Sequence, residues 1–139
     1  MLSRFLLTLS AVFLGLSLVN AQNVNGHWYG NVSDGNKDFP LLFIFHAKSE
    51  HQLSGTIITP LGSRTLENCQ MDRDSLFFID KFGSNTLYHY AKVYQDSITM
   101  KMKGLWGNDT FYYFTLKRKE EFANKSLKDD SLFVRKQLQ

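Results

Sequence analysis

From Gly26 to Arg118 the chain is a succession of short runs rich in Phe, Tyr, Ile, Val and Thr, each cut off by turn residues. Gly26-His27-Trp28 opens the series and Phe114-Thr115-Leu116-Lys117-Arg118 closes it. The runs occupy 27–33, 38–47, 52–59, 63–71, 75–81, 86–94, 97–103 and 110–118, which makes eight. Breakers such as Asp34-Gly35-Asn36, Pro60-Leu61-Gly62, Gly83-Ser84-Asn85 and Gly107-Asn108-Asp109 separate them. Regular spacing of this kind predicts an antiparallel meander, because βαβ units would need helical stretches between the strands. No intervening stretch carries a helical period long enough to place a helix inside the domain.

Side chains alternate across a strand, so each run divides into two faces. One set reads Trp28, Gly30, Val32; Phe39, Leu41, Phe43, Phe45; Leu53, Gly55, Ile57. It continues through Leu66, Leu76, Phe78, Leu87, Ala91, Val93, Ile98, Met100, Met102, Tyr112, Phe114 and Leu116. The complementary set is rich in Thr, Ser, Lys and Tyr, which assigns the first set inward. Leu42, Ile44 and Phe77 are exceptions that place apolar groups outside. A sheet whose first and last strands meet has an inside, and the expected fold is all-β: an antiparallel up-and-down β-barrel of about eight strands.

The termini differ from this core. Arg4 precedes an apolar run over 5–19, and Val19-Asn20-Ala21 offers a cleavage site of small residues. Residues 1–21 therefore predict a secretory signal peptide, with the mature chain exported to the periplasm or secreted. Residues 22–119 form the barrel domain, and 120–139 a charged tail, possible as a short helix after Asp129-Asp130 or as a frayed end. The formal net charge of +3 falls by one when Arg4 leaves with the leader. So small a charge does not argue for nucleic acid or an anionic membrane as a partner. Cys69 is the single cysteine, which rules out an intramolecular disulfide and leaves packing to hold the domain together.

Gly26-x-Trp28 with Arg118 ending the last run resembles the closure of lipocalin-like (calycin) barrels. Trp28-Tyr29-Gly30, the Phe39–Phe45 run, Leu53-Ser54-Gly55-Thr56, Pro60-Leu61-Gly62 and Phe114–Arg118 together resemble small lipocalin-like modules of exported bacterial proteins. Some such modules stand alone and others precede α/β-hydrolase or β-lactamase-like domains. The resemblance implies that Gly26, Trp28 and Arg118 close the barrel, the guanidinium packing on the indole. It implies a binding protein, with no cofactor.

Arg64, Asp80 and His89 fall on the inward face, where a charge is tolerated only if paired. One reading is an Arg64–Asp80 pair at a partly wet mouth; another is a bulge at 67–69 that turns Arg64 out. The functional reading is a polar recognition spot in an apolar cavity, with Arg64 meeting an acidic or carbonyl group of a small apolar or amphipathic ligand. His89 and Tyr112 then add hydrogen bonds, and Phe43 and Met100 supply apolar wall. A general-base pair of Asp80 and His89 is the enzymatic alternative. It lacks a placed nucleophile, so no residue is assigned as catalytic. His27, His46 and His51 lie outside or in a turn, without metal-ligand spacing, so no metal is expected. The outward face interleaves Tyr88, Tyr90 and Tyr113 with Lys92 and Lys101, a pattern suited to a protein partner. A stable membrane insertion is not expected, several runs being short for a tilted bilayer crossing.

Overall fold

The structure is a computed structural model that describes residues 23–33 and 35–118. The expected leader at 1–21 and the tail or helix at 120–139 lie outside the described residues. Nine strands follow one another: β1 (Gly26–Ser33), β2 (Asp38–Ala47), β3 (Leu53–Thr59), β4 (Gly62–Thr65) and β5 (Glu67–Asp72) come first. β6 (Ser75–Phe82), β7 (Asn85–Val93), β8 (Ser97–Lys103) and β9 (Tyr112–Arg118) complete the set. All ladders are antiparallel, in the order β4-β3-β2-β1-β9-β8-β7-β6-β5. The first strand and the last are neighbours in the middle of this order, so an up-and-down sheet curls into a nearly closed barrel.

The extra strand comes from the run at 63–71, which is bent. Asn68 sits at φ 51°, a left-handed conformation that asparagine tolerates, and the β5–β6 register slips between Glu67 and Gln70. Upstream of the bend β4 pairs with β3; downstream β5 pairs with β6. The seam is bridged at one end, where Gln52 faces Gln70 and the Met71 N–H donates to the His51 carbonyl at 2.9 Å. At the other end β4 and β6 are joined through side chains, Arg64 to Asp80. Among the described residues one 3-10 turn, Leu105–Gly107, is the sole helical segment. It belongs to the β8–β9 connection, and β9 starts two residues later than the alternation suggests.

The inward face is the core. Trp28, Phe43, Phe45, Phe78, Leu76, Ile98 and Leu116 are fully buried within it. Phe43, Phe45 and Phe78 pack with ring centroids 5.5 to 5.9 Å apart. Burying each such ring contributes roughly 1.5–3 kcal/mol relative to leaving it exposed. Phe43 and Met100 thus belong to packed core rather than to a free wall. Leu42 and Ile44 do lie on the opposite face, but they are buried there, in a second cluster with Ile58 and Tyr29. Phe77 stays half-buried beside Tyr90, its cross-strand partner, at 5.3 Å.

The β1–β9 seam brings Trp28 opposite Arg118. The guanidinium carbon lies 4.1 Å from the indole centroid, and its two terminal nitrogens donate to the Asn25 and Asn23 carbonyls at 2.8 and 2.7 Å. Trp28 Nε1 donates to the Val24 carbonyl at 2.8 Å, so the indole is satisfied while buried. Gly30 allows the approach: a Cβ there would stand 2.6 Å from the Thr115 carbonyl oxygen. Gly26, at φ 117°, places the chain beside the Arg118 guanidinium. This end of the barrel is stoppered.

Candidate functional site: an apolar cavity with a buried polar cluster

Antiparallel strands put alternate turns at opposite ends, so the β1–β2, β3–β4, β6–β7 and β8–β9 connections gather at the end away from Trp28. Between them opens a cavity of about 440 Å³, within the range of small-molecule sites, roughly 300–1,000 Å³. Val32, Leu41, Ile57, Phe82, Leu87, Met102 and Leu105 make most of its wall. Arg64, Asp80 and His89 supply the polar groups. Those three residues, chosen from face alternation alone, meet at one place: β4, β6 and β7 each contribute one.

Arg64 is held inward by its ladder position opposite Ile57. Its Nε and one Nη donate to the two oxygens of Asp80, both at 2.8 Å, a parallel fork. Its guanidinium carbon also sits 4.7 Å from the Phe82 ring centroid. The two ends of the pair differ in access, since the Arg64 side chain is 21% exposed and that of Asp80 1%. The bend at 67–69 exists, yet it leaves Arg64 facing the interior, because the register slips only after β4 has ended.

His89 lies beneath, fully buried. Its ring stacks on Phe78 at 4.5 Å with 16° between planes, and Phe43 and Phe114 meet it edge-on at 6.0 and 6.4 Å. Burial pushes the imidazole from 6.5 down to about 4, while the Asp80 carboxylate and the Leu87 carbonyl pull the other way; nearby Arg64 adds to the lowering. The ring is therefore neutral near neutral pH. Among the described residues no group hydrogen-bonds to His89 Nδ1. Tyr112 is half-buried against the core, and Phe43 and Met100 lie behind the wall; none of the three lines the cavity.

Alternation placed Phe39 of the rim inward but left out the two rim groups that lie in turns. Leu61 in the β3–β4 turn and Trp106 in the 3-10 turn are 76% and 74% exposed, and Phe39 stands beside them. Trp106 adopts φ 59°, a left-handed backbone uncommon for so bulky a residue, between Gly104 and Gly107, which are left-handed too. Lys37 and Asp38 bring one charge of each sign to the same rim.

The outer face of β7, β8 and β9 is a second candidate surface. Lys101 and Lys103 lie over the Phe111 ring at 4.1 and 5.8 Å, and Lys103 over Tyr88 at 6.0 Å. Tyr90 and Tyr113 are exposed, and Lys92 caps Tyr94 at 5.9 Å. No group of three or more His, Cys, Asp or Glu among the described residues could hold a metal ion. No family model, curated protein or solved structure matches this chain.

Proposed function

We propose that this protein is an exported, lipocalin-like binding protein that holds a small apolar or amphipathic molecule in the barrel without covalent chemistry. The observation that carries the reading is the cavity itself: a wall of aliphatic and aromatic side chains closing over one buried polar cluster. A core meant only to be packed has no use for an ionised pair and an imidazole in the same small volume. Trp106, exposed at the rim in an uncommon backbone conformation, fits a group kept there for contact with something that enters. The Trp28–Arg118 stopper at the opposite end accords with the lipocalin-like reading.

Catalysis by Asp80 and His89 has less behind it. Both Asp80 oxygens are engaged by Arg64, and the lowered basicity of His89 makes it a weak base. Insertion into a bilayer is likewise poorly supported, because lysines stand on the outer face and apolar groups fill the inside, the reverse of a lipid-facing barrel. The alternative worth keeping is a protein partner on the Tyr88, Tyr90, Lys92, Lys101 and Tyr113 face, favoured by the exposed Tyr113 ring.

Native mass spectrometry of freshly purified protein tests the proposal. A small-molecule adduct that is lost on denaturation is expected. A bare chain that also takes up no apolar dye would refute it, and a co-purifying polypeptide would move the function to the outer face.

A further inference from the structure

From the arrangement of the polar cluster we infer that the site selects an amphiphile with a neutral, hydroxyl-type head over one with an ionised head. The inference rests on the proposed binding function and refines it.

Charge at the base of the cavity is already balanced. The fork between Arg64 and Asp80 spends the guanidinium charge on a carboxylate that belongs to the protein. A ligand carboxylate brought there meets Asp80 as well as Arg64. It must give up water without gaining a free cation. An ammonium head faces the mirror problem, because Asp80 is already engaged and Arg64 stands beside it. The rim adds no bias, since Lys37 and Asp38 offset one another.

Neutral hydrogen bonding, by contrast, is on offer. Arg64 uses two of its five N–H groups in the fork, which leaves three. His89 also lines the cavity, and its neutral ring offers a second hydrogen-bonding group there. A hydroxyl both donates and accepts, so it can pair with the imidazole in either tautomer while accepting from Arg64. A carboxylate accepts only, and suits just one tautomer. Most of the remaining lining is apolar, which calls for an alkyl or similar hydrocarbon body. The chemical class is a medium-chain alcohol or a hydroxyl-headed lipid.

The test compares n-decanol, decanoate and decylammonium near neutral pH, following Trp106 emission at the rim, with a Trp106→Phe variant to identify the signal. Decanol is expected to bind at least about tenfold more tightly than either ion, the scale of one satisfied buried hydrogen bond. In His89→Phe that preference should shrink severalfold while the ions are little affected; the wild-type comparison stands even if this variant fails to fold. Decanoate or decylammonium binding as tightly as decanol overturns the inference and leaves the binding function intact. Binding of none of the three overturns both.

Discussion

Removing the imidazole at position 89 should change how stability responds to acid, with a sign and size fixed by the structure. His89→Phe keeps a flat ring that can stack on Phe78 and meet Phe43 and Phe114 edge-on, but it cannot take a proton. In the wild type, burial holds the folded imidazole at about 4 against an ordinary 6.5. Between those values the unfolded chain binds a proton that the folded chain refuses, so stability rises with pH across the window. It is fully present above about 6.5 and drains away as pH falls toward 4. Integrated over the window the loss is about 3 kcal/mol. The carboxylates titrate in both proteins and largely cancel in the difference. At neutral pH the variant is expected to match or exceed the wild type, because it also removes a buried nitrogen without a partner. Urea unfolding at a series of pH values, read by far-ultraviolet circular dichroism, gives both curves. Parallel profiles from neutral pH to about 4, or a wild type that gains on the variant in acid, would refute this account of the buried site.

Two further perturbations probe the pair and the stopper. Arg64→Met should cost more than Asp80→Asn, because a lone Asp80 stays buried whereas a lone Arg64, already part exposed, can turn to water. Breaking fully buried pairs costs 3–5 kcal/mol, so about 2–4 is expected for Arg64→Met at this partly open site; equal losses in urea titrations would contradict the geometry. Arg118→Met removes the indole contact and the donors to Asn23 and Asn25, and should lower stability by about 2–3 kcal/mol. An unshifted thermal midpoint would mean that the β1–β9 seam closes without it.

Much of the barrel was readable because strand alternation is a strict period and the core obeys it. The same rule brought Arg64, Asp80 and His89 together from three separate runs, since a polar residue at an inward position has nowhere else to point. The rule fails where the backbone leaves the pleat. Asn68 at φ 51° splits one expected strand into β4 and β5, and an asparagine in Glu67-Asn68-Cys69 was the only hint. Trp106 and Leu61 sit in turns, where no period says which way a side chain faces, so these two rim groups were missed. Tyr112, Phe43 and Met100 show the converse limit: alternation separates inside from outside but not cavity wall from packed core. Leu42 and Ile44 point outward as expected, yet their burial with Ile58 depends on neighbours that a single strand does not reveal.

The central claim is that this barrel works through its interior. Two-dimensional amide NMR of the isotope-labelled protein, titrated with n-decanol, tests it residue by residue. Perturbations confined to Arg64, Asp80, His89, Leu105 and Trp106 are predicted. Perturbations centred on Tyr88, Tyr90 and Tyr113, or a spectrum that does not move, would contradict it.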